Sequence, residues 1–297
     1  MIKVGIYGPA QLDDAVRKQL LRLLLRHPDV DLRGVASPAG NAKPIAELHP
    51  VYAGETALKL ERVLDVSGLD VLFVIDEENL SDEMWQKYVS DSEFRLIILG
   101  NAPLYRNGKS ADVVYGLPEY TRKALVRGAR AAVSPSPGAI LLELALLPLA
   151  KNMLLNAPVD ITVSGGIDEA SVAEAGMLLE KVQISAKTQF NVSATAAAPY
   201  ERMDLHAEME TPIAREEIVR LYTNAYDDHS FVHIIPGSGP VDEDLRGSNK
   251  CLLRLDCRDG RLIIDASMDA LTKGCTGNAV HIMNLLFGLL ERTGLSI

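Results

Sequence analysis

The chain opens with "MIKVGIYGPAQLDDAVRKQLLRLLLRHPDVDLRGVAS" (residues 1–37), three segments of different period. "MIKVGIYG" is a short apolar run ending in Gly8, the pattern of a buried strand that stops at a tight turn. Residues 14–27 then repeat leucine at helical spacing, and "DLRGVAS" returns to a strand-like run. Strand, turn, helix and strand in this order predict the first unit of a parallel, doubly wound sheet. Further along, "DVLFVID" (70–76) and "FRLIILG" (94–100) predict two more strands with the helical "SDEMWQKYVS" (81–90) between them.

After a long apolar helix predicted over 138–153 the pattern changes. "VDITVSGG" (159–166), "KVQISAKTQFNVSAT" (181–195), "MDLHAEMET" (203–211) and "CLLRLDCRDGRLIIDAS" (251–267) are strand-like, the last a hairpin turning at "RDG". "TPIAREEIVRLYTNAYDD" (211–228) reads as a helix with Thr211 and Pro212 as cap and first-turn residues, and "GNAVHIMNLLFGLLERTG" (277–294) as an amphipathic helix ending at Gly294. The expected fold class is therefore α/β: a Rossmann-like parallel-sheet domain plus an α+β domain with a mixed, largely antiparallel sheet. The domains expected are 1–137 and 138–276.

Composition narrows the function. A 297-residue chain of 47% hydrophobic and 24% charged residues is long enough for one large domain or two ordinary ones, with ample core to bury. Its formal net charge of −10 argues against nucleic acid, because phosphate binding needs clustered Lys and Arg and the stretch Arg17–Arg26 is interleaved with leucines. No apolar run approaches the ~20 residues of a bilayer span and no basic segment precedes one, so no membrane partner and a cytoplasmic location are expected. Cys251, Cys257 and Cys275 lack CxxC spacing or a nearby His pair, so they read as reduced thiols and no metal site is expected.

The first turn, "YGPAQLDDAV" (7–16), lacks the glycines with which a dinucleotide loop admits the pyrophosphate. Gly8 alone remains, and Gln11 and Asp14 stand where later glycines belong. A carboxylate about 4 Å from a diphosphate is repelled by about 4 kcal/mol per charge pair at an effective dielectric of 20. Asp13 and Asp14 fit better as caps of a helix that holds no nucleotide. Gly8 and Ser37 are the residues left that could contact a cofactor.

Several motifs in one order carry a resemblance over nearly the whole chain: "LLRLLLRHPDVDLRGVAS" and "ELHP", "YGLPEY" (115–120), "LLPLAKN" (146–152), "GSNKC" (247–251) and "DALTKGCTGNAVHIMNLLFGLLERTGL" (269–295). Together they resemble the N-acetyl-γ-glutamyl-phosphate reductase family, semialdehyde dehydrogenase-like enzymes of arginine biosynthesis that use NADPH. The resemblance implies a Rossmann domain, an α+β domain carrying a dimer-forming sheet, a C-terminal helix of about 277–297 that packs back on the domain 1–137, and a homo-oligomer. It also implies a mechanism. A Cys in an N-P-G-C motif attacks the acyl phosphate to form a thioester, a His serves as acid and base, and hydride from NADPH releases the semialdehyde.

Counted back from Pro148, the Cys position falls at or next to Pro137 in "SPSPG", where Ser134, Pro135 and Ser136 replace the rest of the motif. Proline offers no nucleophile, and Ser136 needs a base to become one. The family's H-R-H-x-P-E segment corresponds to "VSGGIDEASVAEAGMLLEKVQISAKTQF" (163–190), which holds no His or Arg and reads as a shortened loop. Its P-H-L-x-P segment corresponds to "AAAPYERMDL" (196–205), also without His. A P-H-G turn is replaced by "DEEN" (76–79), and Arg106 in "ILGNAPLYR" reads as a displaced remnant of D-F-R. Asp269, Lys273, Gly274, Gly277 and Asn284 match the C-terminal motif, while Ala270 replaces an Asn and Asn278 a Gln. His206 and the remaining histidines, His27, His49, His229, His233 and His281, show no triad or metal spacing and read as structural or surface groups.

The main expectation is therefore a pseudoenzyme with a binding or regulatory role, without catalytic residues or cofactor, partnered by itself, by an active paralogous reductase or by another protein. The alternative is an active reductase using non-standard residues, with NADP as cofactor. A third is an enzyme of another class with Glu119, Asp168, Glu169, Lys273 and Ser136 as its polar groups.

Overall fold

The computed structural model describes residues 1–8, 14–75, 93–100, 113–184, 190–194 and 202–296. Gln11, Asp13, the helix expected over 81–90, the "DEEN" turn and Arg106 lie outside the described residues. The chain divides into two compact units, one of Met1–Pro135 with Cys275–Leu295 and one of Ser136–Gly274 with Ser296–Ile297.

Unit 1 is built on an eight-stranded sheet in the order β3-β4-β2-β1-β5-β6-β8-β7. The strands are β1 (Ile2–Tyr7), β2 (Val30–Ala36), β3 (Lys43–Pro44), β4 (Lys59–Glu61), β5 (Val71–Ile75), β6 (Arg95–Leu99), β7 (Val113–Tyr115) and β8 (Ala131–Ser134). All pairings are parallel except β3 with β4. The central strands bury both faces, which is why "VLFVI" of β5 has no polar alternation. Helix α1 (Ala15–Arg26) packs Leu20, Leu21, Leu23 and Leu24 inward, and the short α2 (Ile45–Leu48) and α3 (Pro118–Val126) follow β3 and β7.

The last element of unit 1 is α7 (Gly277–Leu286), every residue of which is buried. It packs against α1, α3, β6 and β8. The helix stops eight residues short of the Gly294 expected from sequence, because Gly288 adopts φ 67° just beyond the cap at Phe287. Gly294 (φ 70°) serves close packing instead, since a Cβ there would lie 2.2 Å from the His27 ring. His27 Nε2–H donates to Asn284 Oδ1 at 3.0 Å, and the Asp29 amide donates to His27 Nδ1 at 3.2 Å. Asn284 Nδ2 in turn donates to the carbonyls of Glu291 and Thr293.

Unit 2 holds α4 (Pro137–Lys151), α5 (Glu169–Val182) and α6 (Arg215–Tyr226) against a six-stranded mixed sheet, order β10-β9-β11-β14-β13-β12. Its strands are β9 (Val159–Ser164), β10 (Phe190–Ala194), β11 (Arg202–Glu210), β12 (Val232–Ile234), β13 (Cys251–Arg258) and β14 (Arg261–Asp269). The β13–β14 hairpin turns at Asp259 (φ 50°) and Gly260 (φ 76°), the two left-handed residues that a type I′ turn requires. The sequence places two elements wrongly here. Residues 169–182, read as part of a shortened loop, form α5, whose apolar face of Ala175, Leu178 and Leu179 is interrupted by Glu174. The helix expected from Thr211 starts at Arg215, because Thr211 Oγ1 instead closes a local turn by accepting from the Ile213 amide.

Helix α4 is the core of unit 2, with Gly138 to Ala150 entirely buried. Pro148 within it has no N–H, so the Leu144 carbonyl one turn back loses its helical donor. Tyr226 Oη replaces that donor at 2.6 Å, and Tyr222 Oη donates to the neighbouring Ala145 carbonyl at 2.5 Å. No helix among the described residues is long and apolar enough to cross a membrane.

Candidate functional site

Two helix N-termini, one in each unit, carry the candidate residues of the sequence. A helix N-terminus offers unpaired N–H groups and the positive end of a dipole. What each one faces determines what it binds.

In unit 1, Gly8 (φ 87°) ends β1 and Ser37 ends the adjacent parallel β2, so both lie at the carboxyl edge of the sheet where dinucleotides bind in such folds. The Gly8 amide donates to the Ala36 carbonyl at 2.9 Å, and Ser37 Oγ accepts from the Ala39 amide at 3.2 Å. Asp14 is the N-cap of α1, as expected, and its Oδ1 accepts from the Arg17 amide at 2.6 Å. The Arg17 amide in the first turn of α1 is therefore engaged by a carboxylate of the chain itself.

In unit 2, Pro137 is the first residue of α4 and Ser136 its N-cap, in extended geometry (φ −64°, ψ 151°). Pro137 is pre-organised for this place, since its missing N–H is unpaired in any helix start. Ser136 does not cap α4 with its side chain. Its hydroxyl donates to Glu174 Oε2 at 2.7 Å, its amide donates to the same oxygen at 3.2 Å, and Ser171 Oγ lies 3.0 Å from its Oγ. Glu174 is 3% exposed, so its carboxyl group lies in low dielectric beside the α4 N-terminus. Asp168, expected only as a candidate polar group, caps α5 by accepting from the Ser171 amide at 2.7 Å. A Cβ on Gly138 would touch Ser171 Cβ at 2.9 Å, and one on Gly274 would touch Pro137 Cβ at 2.9 Å, so the turn is packed from both sides.

Lys273 is fully buried, its ammonium 5.8 Å above the Phe231 ring. Glu119 is buried at the start of α3 in unit 1, and Glu169 is exposed on α5. No described cysteine offers a thiolate as a substitute nucleophile. Burial, with Asp14 adding to it, pushes the Cys275 thiol up to about 12, burial likewise raises Cys257, and Cys251 is fully buried. No histidine appears among the side chains bonded to Ser136, and no His, Cys, Asp or Glu group among the described residues can hold a metal ion. Glu174 is the residue that sequence reasoning passed over. Its signal was a carboxylate on the apolar face of a helical repeat, at the position shared by Ser171, Ala175 and Leu178.

Residues 13–127 match the semialdehyde dehydrogenase NAD-binding domain. The whole chain aligns with the N-acetyl-gamma-glutamyl-phosphate reductases of Parabacteroides distasonis, at 31% identity over 98% of that protein, and of Bacteroides thetaiotaomicron, at 29% over 98%. Among solved structures, aspartate semialdehyde dehydrogenase with NADP from Candida albicans superposes with a TM-score of 0.74, covering 97% of this chain and 99% of that one at 12% identity. Aspartate semialdehyde dehydrogenase II from Vibrio cholerae does so with a TM-score of 0.71 over 97% and 98% at 14% identity. These two likenesses establish the α/β fold, with its parallel sheet and its mixed second sheet. The chain belongs to the semialdehyde dehydrogenase family, as a full-length relative of the N-acetyl-gamma-glutamyl-phosphate reductases.

Proposed function

We propose that this chain is a reductase-fold protein that no longer carries out acyl-phosphate reduction and acts as a binding or regulatory subunit, assembled with itself or with an active paralogous reductase. One observation carries the reading: the turn at which the family mechanism needs a thiolate holds Pro137, and the anion beside that helix end is Glu174, bonded to Ser136 twice. A thioester mechanism needs a nucleophile that leaves its proton easily, and a helix N-terminus lowers a thiol pKa for that purpose. Here the same field is spent on a fixed carboxylate. The α1 N-terminus repeats the arrangement with Asp14, which disfavours the NADP phosphates.

A second reading has its own support. The match to an NAD-binding domain and the full-length alignment with named reductases favour an active NADPH-dependent N-acetyl-γ-glutamyl-phosphate reductase with non-standard residues. Ser136 with Glu174 as base is then its nucleophile. Calorimetric titration with NADPH and NADP to millimolar concentration separates the two. The first reading expects no heat from either, and no acyl-phosphate reduction by the wild type or by Pro137→Cys. Micromolar binding together with turnover that Ser136→Ala abolishes would establish the second and remove the first.

A further inference from the structure

The outer face of the unit 2 sheet carries a group that neither helix terminus uses. His206 on β11 lies directly opposite Thr162 of β9 on one side and Asp265 of β14 on the other. Its Nδ1 lies 2.7 Å from Asp265 Oδ1, and its Nε2 3.2 Å from Glu208 Oε1. A neutral imidazole has one N–H and can donate to only one of these carboxylates, whereas the imidazolium donates to both. Asp265 is only 4% exposed, so its charge calls for a close cation.

Three of the neighbouring carboxylates find a guanidinium without His206. On its own strand, Asp204 binds Arg202 and accepts from Ser267. Glu208 shares Arg261 of β14 with Asp160 of β9. Arg254 of β13 stands opposite Asp265 in register, yet its guanidinium donates to the Pro240 carbonyl. Two guanidiniums, Arg202 and Arg261, thus serve Asp204, Glu208 and Asp160, and the basic group at hydrogen-bond distance from Asp265 is His206. A cavity of about 170 Å³ lined by Thr162, Ser164, Asp204, His206, Val241 and Asp265 opens beside the ring.

We propose that His206 is a proton-operated cross-link between β11 and β14, engaged when its imidazolium bridges Asp265 and Glu208 and released when the proton leaves. Burial draws the His206 pKa down, but the hydrogen bonds and charges of Asp265 and Glu208 outweigh it and hold the pKa above the ordinary histidine value. Glu208 is held below the usual carboxylate range by the same bond to His206. The raised folded pKa means that the stabilisation is complete below the unfolded value of about 6.5 and is lost as pH rises through the folded value. Each unit of separation is a tenfold change in the unfolding equilibrium.

The test is an imidazole NMR titration of the full chain, with His206→Gln to assign the resonance, beside hydrogen exchange of β11 and β14 peptides from pH 6 to 9. The expected result is a His206 midpoint above 6.5 that falls in Asp265→Asn, with protection of β11 and β14 declining at alkaline pH in the wild type but not in His206→Gln. Should Asp265→Asn fail to fold, Glu208→Gln serves and lowers the midpoint by less. A wild-type midpoint at or below 6.5, or the same alkaline decline in His206→Gln, overturns the proposal.

Discussion

Glu174, bonded to Ser136, sets how a thiol placed at the start of α4 would ionise. If Pro137 alone silences the turn, then Pro137→Cys places a thiol at a helix start, where the dipole draws its pKa below the ordinary value of about 8.5. If Glu174 also acts, the thiol meets a buried carboxylate already bonded to the preceding residue. A like charge nearby disfavours the thiolate and raises the thiol pKa. The expected outcome is that iodoacetamide alkylation of Pro137→Cys rises only above pH 8.5, and that adding Glu174→Gln moves the midpoint down. A low midpoint in the single variant would show that the carboxylate does not oppose a thiolate there.

At the scale of elements, Pro148 shows how a local defect is repaired by a distant residue. The break it makes in the α4 hydrogen-bond ladder is closed by Tyr226, 82 residues from the carbonyl it serves. Tyr226→Phe keeps the ring and leaves the Leu144 carbonyl buried without its donor, which costs about 1–3 kcal/mol. Urea unfolding of the variant is expected to show that loss, and an unchanged midpoint would mean that the carbonyl finds another partner. The strands of the parallel sheet were legible in the sequence because buried runs such as "VLFVI" admit no other period, and the β13–β14 hairpin because Asp259 and Gly260 tolerate left-handed backbone. Other boundaries were not. Thr211 and Gly294 are good terminators by type, but a local turn claimed the first and the packing of His27 the second. α5 escaped because the family comparison suggested a loop at that place, although its apolar period was in view. The candidate site was legible at Pro137, Ser136 and Asp14, where chain order alone sets the position. Glu174 reaches Ser136 across 38 residues, a contact that no local spacing encodes.

Across the whole molecule, two histidines set opposite limits on stability, one in each unit. Burial lowers the His27 pKa below the ordinary value, with the bond to Asn284 and the charge of Asp29 opposing it only in part. Its neutral tautomer satisfies both ring nitrogens, one donating to Asn284 and one accepting from the Asp29 amide. Protonation would break the second of these. A folded pKa below the unfolded value of about 6.5 means that the unfolded chain binds the proton more readily, so the stabilisation is complete above about 6.5 and is lost as pH falls toward the folded value. His206 has the reverse sign and acts on the alkaline side. Hydrogen exchange followed from pH 5 to 9 should therefore show protection of α1 and α7 declining toward acid and that of β11 and β14 declining toward alkali. His27→Gln removes the acid limb because Gln does not titrate, and it leaves the alkaline limb in place. An acid limb that persists in His27→Gln assigns the loss to other groups, and alkaline loosening of α1 rather than β11 would reverse the assignment of the two histidines to their units.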